Sequence, residues 1–104
     1  MTDYYLQVLD SPSWKVRAHI LKGWAGAKCE WCGSGTGLDV HHLSYHRLGA
    51  ETPRELVVLC RGCHEAAHDP VRQPSRIQLL EITDRHPETF QDILEAERFE
   101  GTYL

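Results

Sequence analysis

Cys29-Glu30-Trp31-Cys32 and Cys60-Arg61-Gly62-Cys63-His64, with Leu38-Asp39-Val40-His41-His42-Leu43 between them, decide the fold. Two C-x-x-C pairs can present four sulfurs to one ion, because each short spacing lets a tight turn offer two thiolates at once. Gly33 and Gly62 suit such turns. Structural zinc is the reading preferred over disulfides, a redox pair or unliganded thiols. The gap between the knuckles is 27 residues, longer than a simple zinc ribbon needs, so something is inserted. Leu38–Leu43 has strand character. Leu56-Val57-Val58-Leu59 is a short apolar strand running into Cys60. The stretch from Gly62 to His68 reads as a helix that ends near Asp69-Pro70. The result is a ββα unit in a small α+β protein, with elements short enough to need metal to hold them.

Outward from this unit, Ser11-Pro12 marks a helix start, with Ser11 as the cap. Trp14, Val16 or Arg17, Ile20, Leu21 and Trp24 form its stripe, so a helix is expected over about 12–24. Residues 2–11 form an apolar-aromatic lead. Two amphipathic helices are expected over 75–84 and 88–99, broken at His86-Pro87. With 104 residues, 41% hydrophobic and 25% charged, the chain is read as one globular domain over 1–104. Its core spans about 26–69 and its acidic helical tail about 75–100. No apolar run approaches the ~18 residues of a membrane span. Met1-Thr-Asp-Tyr-Tyr-Leu carries no secretory signal, so the expected location is cytoplasmic.

The net charge of −4 is unevenly placed. Residues 11–76 carry nine Lys/Arg against six Asp/Glu, while residues 77–104 carry two against seven. The segment that holds the Cys and His is therefore mildly basic, which permits a phosphate-bearing ligand.

His64 and His68 stand at i and i+4, one turn apart on one helix face, as a paired metal site requires. His41 and His42 are strand neighbours, so their side chains point to opposite sides and do different jobs. One can bind a metal held against the helix while the other reaches a substrate. The zinc site already has four sulfurs, so these histidines imply a second centre. His68 is either a third ligand or a helix-end residue favoured by the dipole. His19, His46 and His86 are expected to be exposed and idle.

Together these residues resemble the HNH endonucleases, the ββα-metal nucleases. The resemblance runs over roughly residues 4–68, with a similar lead-in at Tyr5, Ser13-Trp14 and Arg17. It implies a treble-clef-like core stapled by zinc at Cys29, Cys32, Cys60 and Cys63. It implies a catalytic divalent metal (Mg²⁺, Mn²⁺, Ni²⁺ or Zn²⁺) at His41 and His64, completed by His68, and His42 as general base. The family's Asn falls at Glu55, a departure that leaves a catalytically inactive zinc-binding module, for nucleic acid or protein, as the alternative. Glu51 matches a Gly-x-Glu of related sequences and is read as a carboxylate near the metal or behind it, or as a plain surface residue.

The implied activity is metal-dependent hydrolysis of phosphodiester bonds, with DNA as the expected partner and no membrane. The chemistry needs an activated water, charge neutralisation and a stabilised leaving oxygen. A neutral imidazole is a suitable base at cellular pH. Arg17, Lys22, Lys28, Arg47, Arg54, Arg61, Arg72 and Arg76 are candidate phosphate contacts, with Arg47 and Arg61 preferred because they flank the site. Trp14, Trp24 and Trp31 are read as core and knuckle packing. The tail helices, carrying Ile77, Leu79, Leu80, Ile82, Phe90, Ile93, Leu94 and Phe99, either fold back on the first helix or form a homodimer contact.

Overall fold

The computed structural model describes residues 3–102, with the side chains of residues 3, 5 and 97–102 outside that description. The elements run α1 (Asp3–Asp10), α2 (Pro12–Trp24), β1 (Leu38–His42), a 3₁₀ turn (Pro53–Glu55), β2 (Leu56–Cys60), α3 (Arg61–Ala67), α4 (Arg76–Thr83) and α5 (Phe90–Thr102). This is a small α+β protein with one two-stranded sheet and, among the described residues, five α-helices. None of those helices is long and apolar enough to cross a membrane.

Ser11 caps α2 as its sequence position suggests, accepting from the Trp14 amide at 3.2 Å. α1 corrects the reading of residues 2–11 as an unstructured lead. Its Tyr4, Leu6 and Val8 spacing is too short and too aromatic to give a helical signal from sequence. In α2 the buried residues are Trp14 and Leu21, whereas Val16 faces out.

β1 and β2 pair antiparallel, with Val40 opposite Val58, His41 opposite Val57 and His42 opposite Leu56. All of Leu56, Val57, Val58 and Leu59 are fully buried, so β2 is covered on both faces. Leu56 and Val58 join Val8, Trp14, Leu21 and Ile93 in one cluster. Val57 and Leu59 join Cys29, Leu43 and Leu79 in the other. Each such side chain contributes roughly 1.5–3 kcal/mol by leaving water.

The tail is part of this core. Leu79 from α4 and Ile93 from α5 are each 1% exposed, one in each cluster. Of the two fates expected for the tail helices, folding back is therefore observed. Ile77, Leu80 and Leu94 face outward, and the Phe99 side chain lies outside the described residues.

The expectation that His86 is idle is overturned. Its ring is 2% exposed. Nδ1 bonds the Pro53 carbonyl at 2.8 Å and Nε2 bonds Glu30 at 2.7 Å. Glu30 also accepts from the Val58 amide at 2.8 Å, and Arg54 donates to the His86 carbonyl. One residue thus ties the first knuckle, the turn before β2 and the α4–α5 junction together. Burial alone would lower the His86 pKa. The Glu30 and Pro53 hydrogen bonds outweigh it and raise the pKa above the ordinary value.

Candidate functional site

Two groups of ligand-type side chains converge among the described residues, and in each the ligand atoms lie within 4.8 Å of one another. The first is Cys29, Cys32, Cys60 and Cys63. The first knuckle closes through Gly33 N–H to Cys29 O (2.9 Å) and Cys29 N–H to Ser34 O (2.8 Å). Gly33 sits at φ +83°, where a side chain would be strained. Gly62, also expected in a turn, instead lies in the first turn of α3.

All four cysteines are free. The Cys32 and Cys60 sulfurs stand 3.7 Å apart, against about 3.8 Å for the edge of a tetrahedron with 2.3 Å zinc–sulfur bonds. The four residues fit a zinc ion. Burial opposes ionisation of Cys29, yet amides of Cys32, Cys60 and Trp31 bring its pKa down to about 7. Burial and the neighbouring thiols push Cys63 up. Four thiolates this close therefore need a cation to coexist.

The second group is His41, His64 and His68. His41 comes from β1, and His64 with its i+4 partner comes from α3 and its C-terminal cap. The His41 ring lies 4.9 Å from each of the others, centre to centre. Burial, followed by the neighbouring imidazoles and Arg76, lowers the His41 pKa to about 4, so the ring is neutral at pH 7. That is the form that binds a metal. Asp39, two residues before His41 and on the same strand face, meets His64 Nδ1 at 3.1 Å. With Nδ1–H given to a carboxylate, Nε2 becomes the lone-pair nitrogen. The three imidazoles fit a divalent transition metal.

His42 points the other way. It stacks on Trp14 of α2 (4.6 Å) and on Tyr45 (5.3 Å), and its Nε2 meets Glu51 Oε2 at 2.6 Å. Arg17 donates to Glu51 Oε1 at 2.9 Å. Burial would raise the Glu51 carboxyl. The His42 hydrogen bond, its own backbone amide and the Arg17 charge hold it below the usual range instead. Glu51 is thus a buried partner of His42, neither a surface residue nor a member of the imidazole cluster.

Glu55 lies in neither group. It closes the capping box with Thr52, and its carbonyl accepts from Leu43 N–H at 2.9 Å. It fixes the loop between the strands.

Both faces of β1 open on one cleft. A cavity of about 420 Å³ is lined by Asp39, His41, His42, His64, His68 and Lys22. A second of about 470 Å³ shares His41, His42, Tyr45 and His68 and adds Arg76. The preferred cations are elsewhere: Arg47 pairs with Glu55 at 3.7 Å and Arg61 with Asp39 at 3.5 Å, and neither lines these cavities. Arg17 is committed to Glu51. Trp24 and Trp31, expected in packing, are 38% and 39% exposed.

Asp39 and the Arg17–Glu51 link were not legible. The i−2 spacing of Asp39 from His41 is the one sequence signal that could have found either.

No family model, curated protein or solved structure matches the chain.

Proposed function

We propose that this protein is a metal-dependent HNH endonuclease that hydrolyses phosphodiester bonds in nucleic acid, with DNA as its substrate. The observation that carries the reading is that a three-imidazole cluster and a separately buffered histidine meet in one cleft from opposite faces of a single strand. The four-cysteine cluster is assigned a structural zinc. His41, His64 and His68 hold a catalytic divalent ion. That ion, when bound, neutralises the phosphoryl oxygens and stabilises the leaving 3′ oxygen.

The remaining work falls to the chain itself. His42 accepts the proton of the attacking water. Lys22 and Arg76 flank the cleft and supply charge for the phosphates on either side. Asp39 orients His64, and Arg61 pairs with Asp39. The products are a 5′ phosphate and a 3′ hydroxyl.

Plasmid nicking under metal titration tests this. His42→Ala should keep the fold, the zinc and DNA affinity while losing ~10²–10⁴-fold in rate. His41→Ala or His64→Ala should lose activity that high Mn²⁺ partly restores, since mass action refills a weakened site. Equal nicking by His42→Ala and wild type would remove the mechanism. Full metal rescue of His42→Ala would make it a ligand.

A further inference from the structure

The two oxygens of Glu51 face different partners, and one of those partners cannot change its role. Oε1 receives Arg17 Nη2, and Oε2 meets His42 Nε2. Arg17 carries only donors, so whatever atom faces it must accept. An ionised carboxylate also only accepts, so the proton of the short contact belongs to His42 Nε2. A neutral His42 then keeps its lone pair on Nδ1. The Glu51 side chain is 0% exposed and that of His42 is 1% exposed, so water does not compete for these positions.

We infer that Glu51, itself oriented by Arg17, is a positioning residue that fixes His42 in the Nε2–H tautomer and so makes Nδ1 the atom that takes the proton from water. The inference rests on the nuclease reading for its catalytic consequence, but the tautomer can be read without any cleavage. It also makes a counter-intuitive demand on an isosteric replacement. In Glu51→Gln, Arg17 claims the amide oxygen, which turns the amide NH₂ toward His42. Nε2 must then accept, the ring proton moves to Nδ1, and the proton acceptor is lost although no atom has been removed. An orienting carboxylate replaced by its amide in a hydrolase triad costs ~10⁴-fold by this route. Replacing Arg17 as well frees the amide to rotate and offer its oxygen back to His42.

The test combines ring-nitrogen NMR with plasmid nicking on zinc-loaded protein. Spectra are taken about two pH units above the ordinary imidazole pKa of ~6.5, with His42 assigned by its loss in His42→Ala. The expected results are an Nε2–H ring in wild type, an Nδ1–H ring in Glu51→Gln with a ~10²–10⁴-fold slower rate, and partial return of both signatures in Arg17→Met/Glu51→Gln. A wild-type ring protonated on Nδ1, or on both nitrogens, overturns the inference and needs no variant to fold. So does a folded Glu51→Gln that keeps the wild-type tautomer. If wild type nicks no DNA yet the tautomer inverts as stated, the nuclease reading fails and the positioning role stands.

Discussion

Asp39 shows how a single carboxylate can set a metal site without joining it. Its bond to His64 Nδ1 fixes which ring nitrogen is left to coordinate. Asp39→Asn should weaken the divalent ion at the imidazole cluster ~10–100-fold, read by competition against a chelating dye, and leave the cysteine-bound zinc untouched. His86 gives the residue-scale pH dependence. Its folded-state pKa is raised, so its contribution is fully present below about pH 6.5 and fades as pH climbs through the folded-state value. His86→Phe leaves Glu30 without its cation and should cost about 3 kcal/mol in urea unfolding at pH 6, with the gap to wild type narrowing toward pH 9. The two residues also mark the limit of legibility. His41, His42, His64 and His68 announce themselves by spacing, because strand alternation and helical i+4 geometry are local. His86 and Glu30 are 56 positions apart, and nothing local in either signals the other.

At the scale of elements, α3 has seven residues, below the ~12–15 at which isolated helices become even marginal. Cys60 and Cys63 anchor its start, and its apolar contacts are the knuckle, Leu43 and Leu79. Zinc removal should therefore melt the ββα unit as a whole. The expected outcome is a large drop in Tm on chelation and poorly soluble Cys60→Ser protein, and an unchanged melt after zinc has been shown to leave would contradict it. The strands were readable because Leu56–Leu59 is continuously apolar and bounded by polar turns. α1 was not, since its eight residues take their stability from α2 and the loop, where Tyr4 reaches the Leu48 carbonyl at 3.3 Å.

Across the whole molecule, charge and packing separate in the tail. Its acidic side chains Glu81, Asp84 and Glu95 face solvent while Leu79, Thr83 and Ile93 face the core. Deleting residues 77–104 would strip both apolar clusters and the His86 tie, so it reports on folding rather than on electrostatics. Glu81→Gln with Asp84→Asn is the cleaner variant. It should tighten low-salt DNA binding severalfold in a fluorescence titration with Tm unchanged, and an unaltered salt profile would show that the tail's field does not reach the cleft. The charge imbalance was visible in the sequence. Where the tail packs was not, because an amphipathic face does not say what covers it.

The closure of the first cluster by Ile93 also has a consequence for how the chain is made. Val58 leaves the ribosome 35 residues ahead of Ile93. At ordinary rates of synthesis that is an interval of roughly 2–7 s. The cysteines and the inner strand are by then in the open, and the helix that completes their cover is still being translated. Nascent protein therefore passes through a stage with Leu56 and Val58 uncapped, when a chaperone or an early-bound ion decides how much of it escapes aggregation.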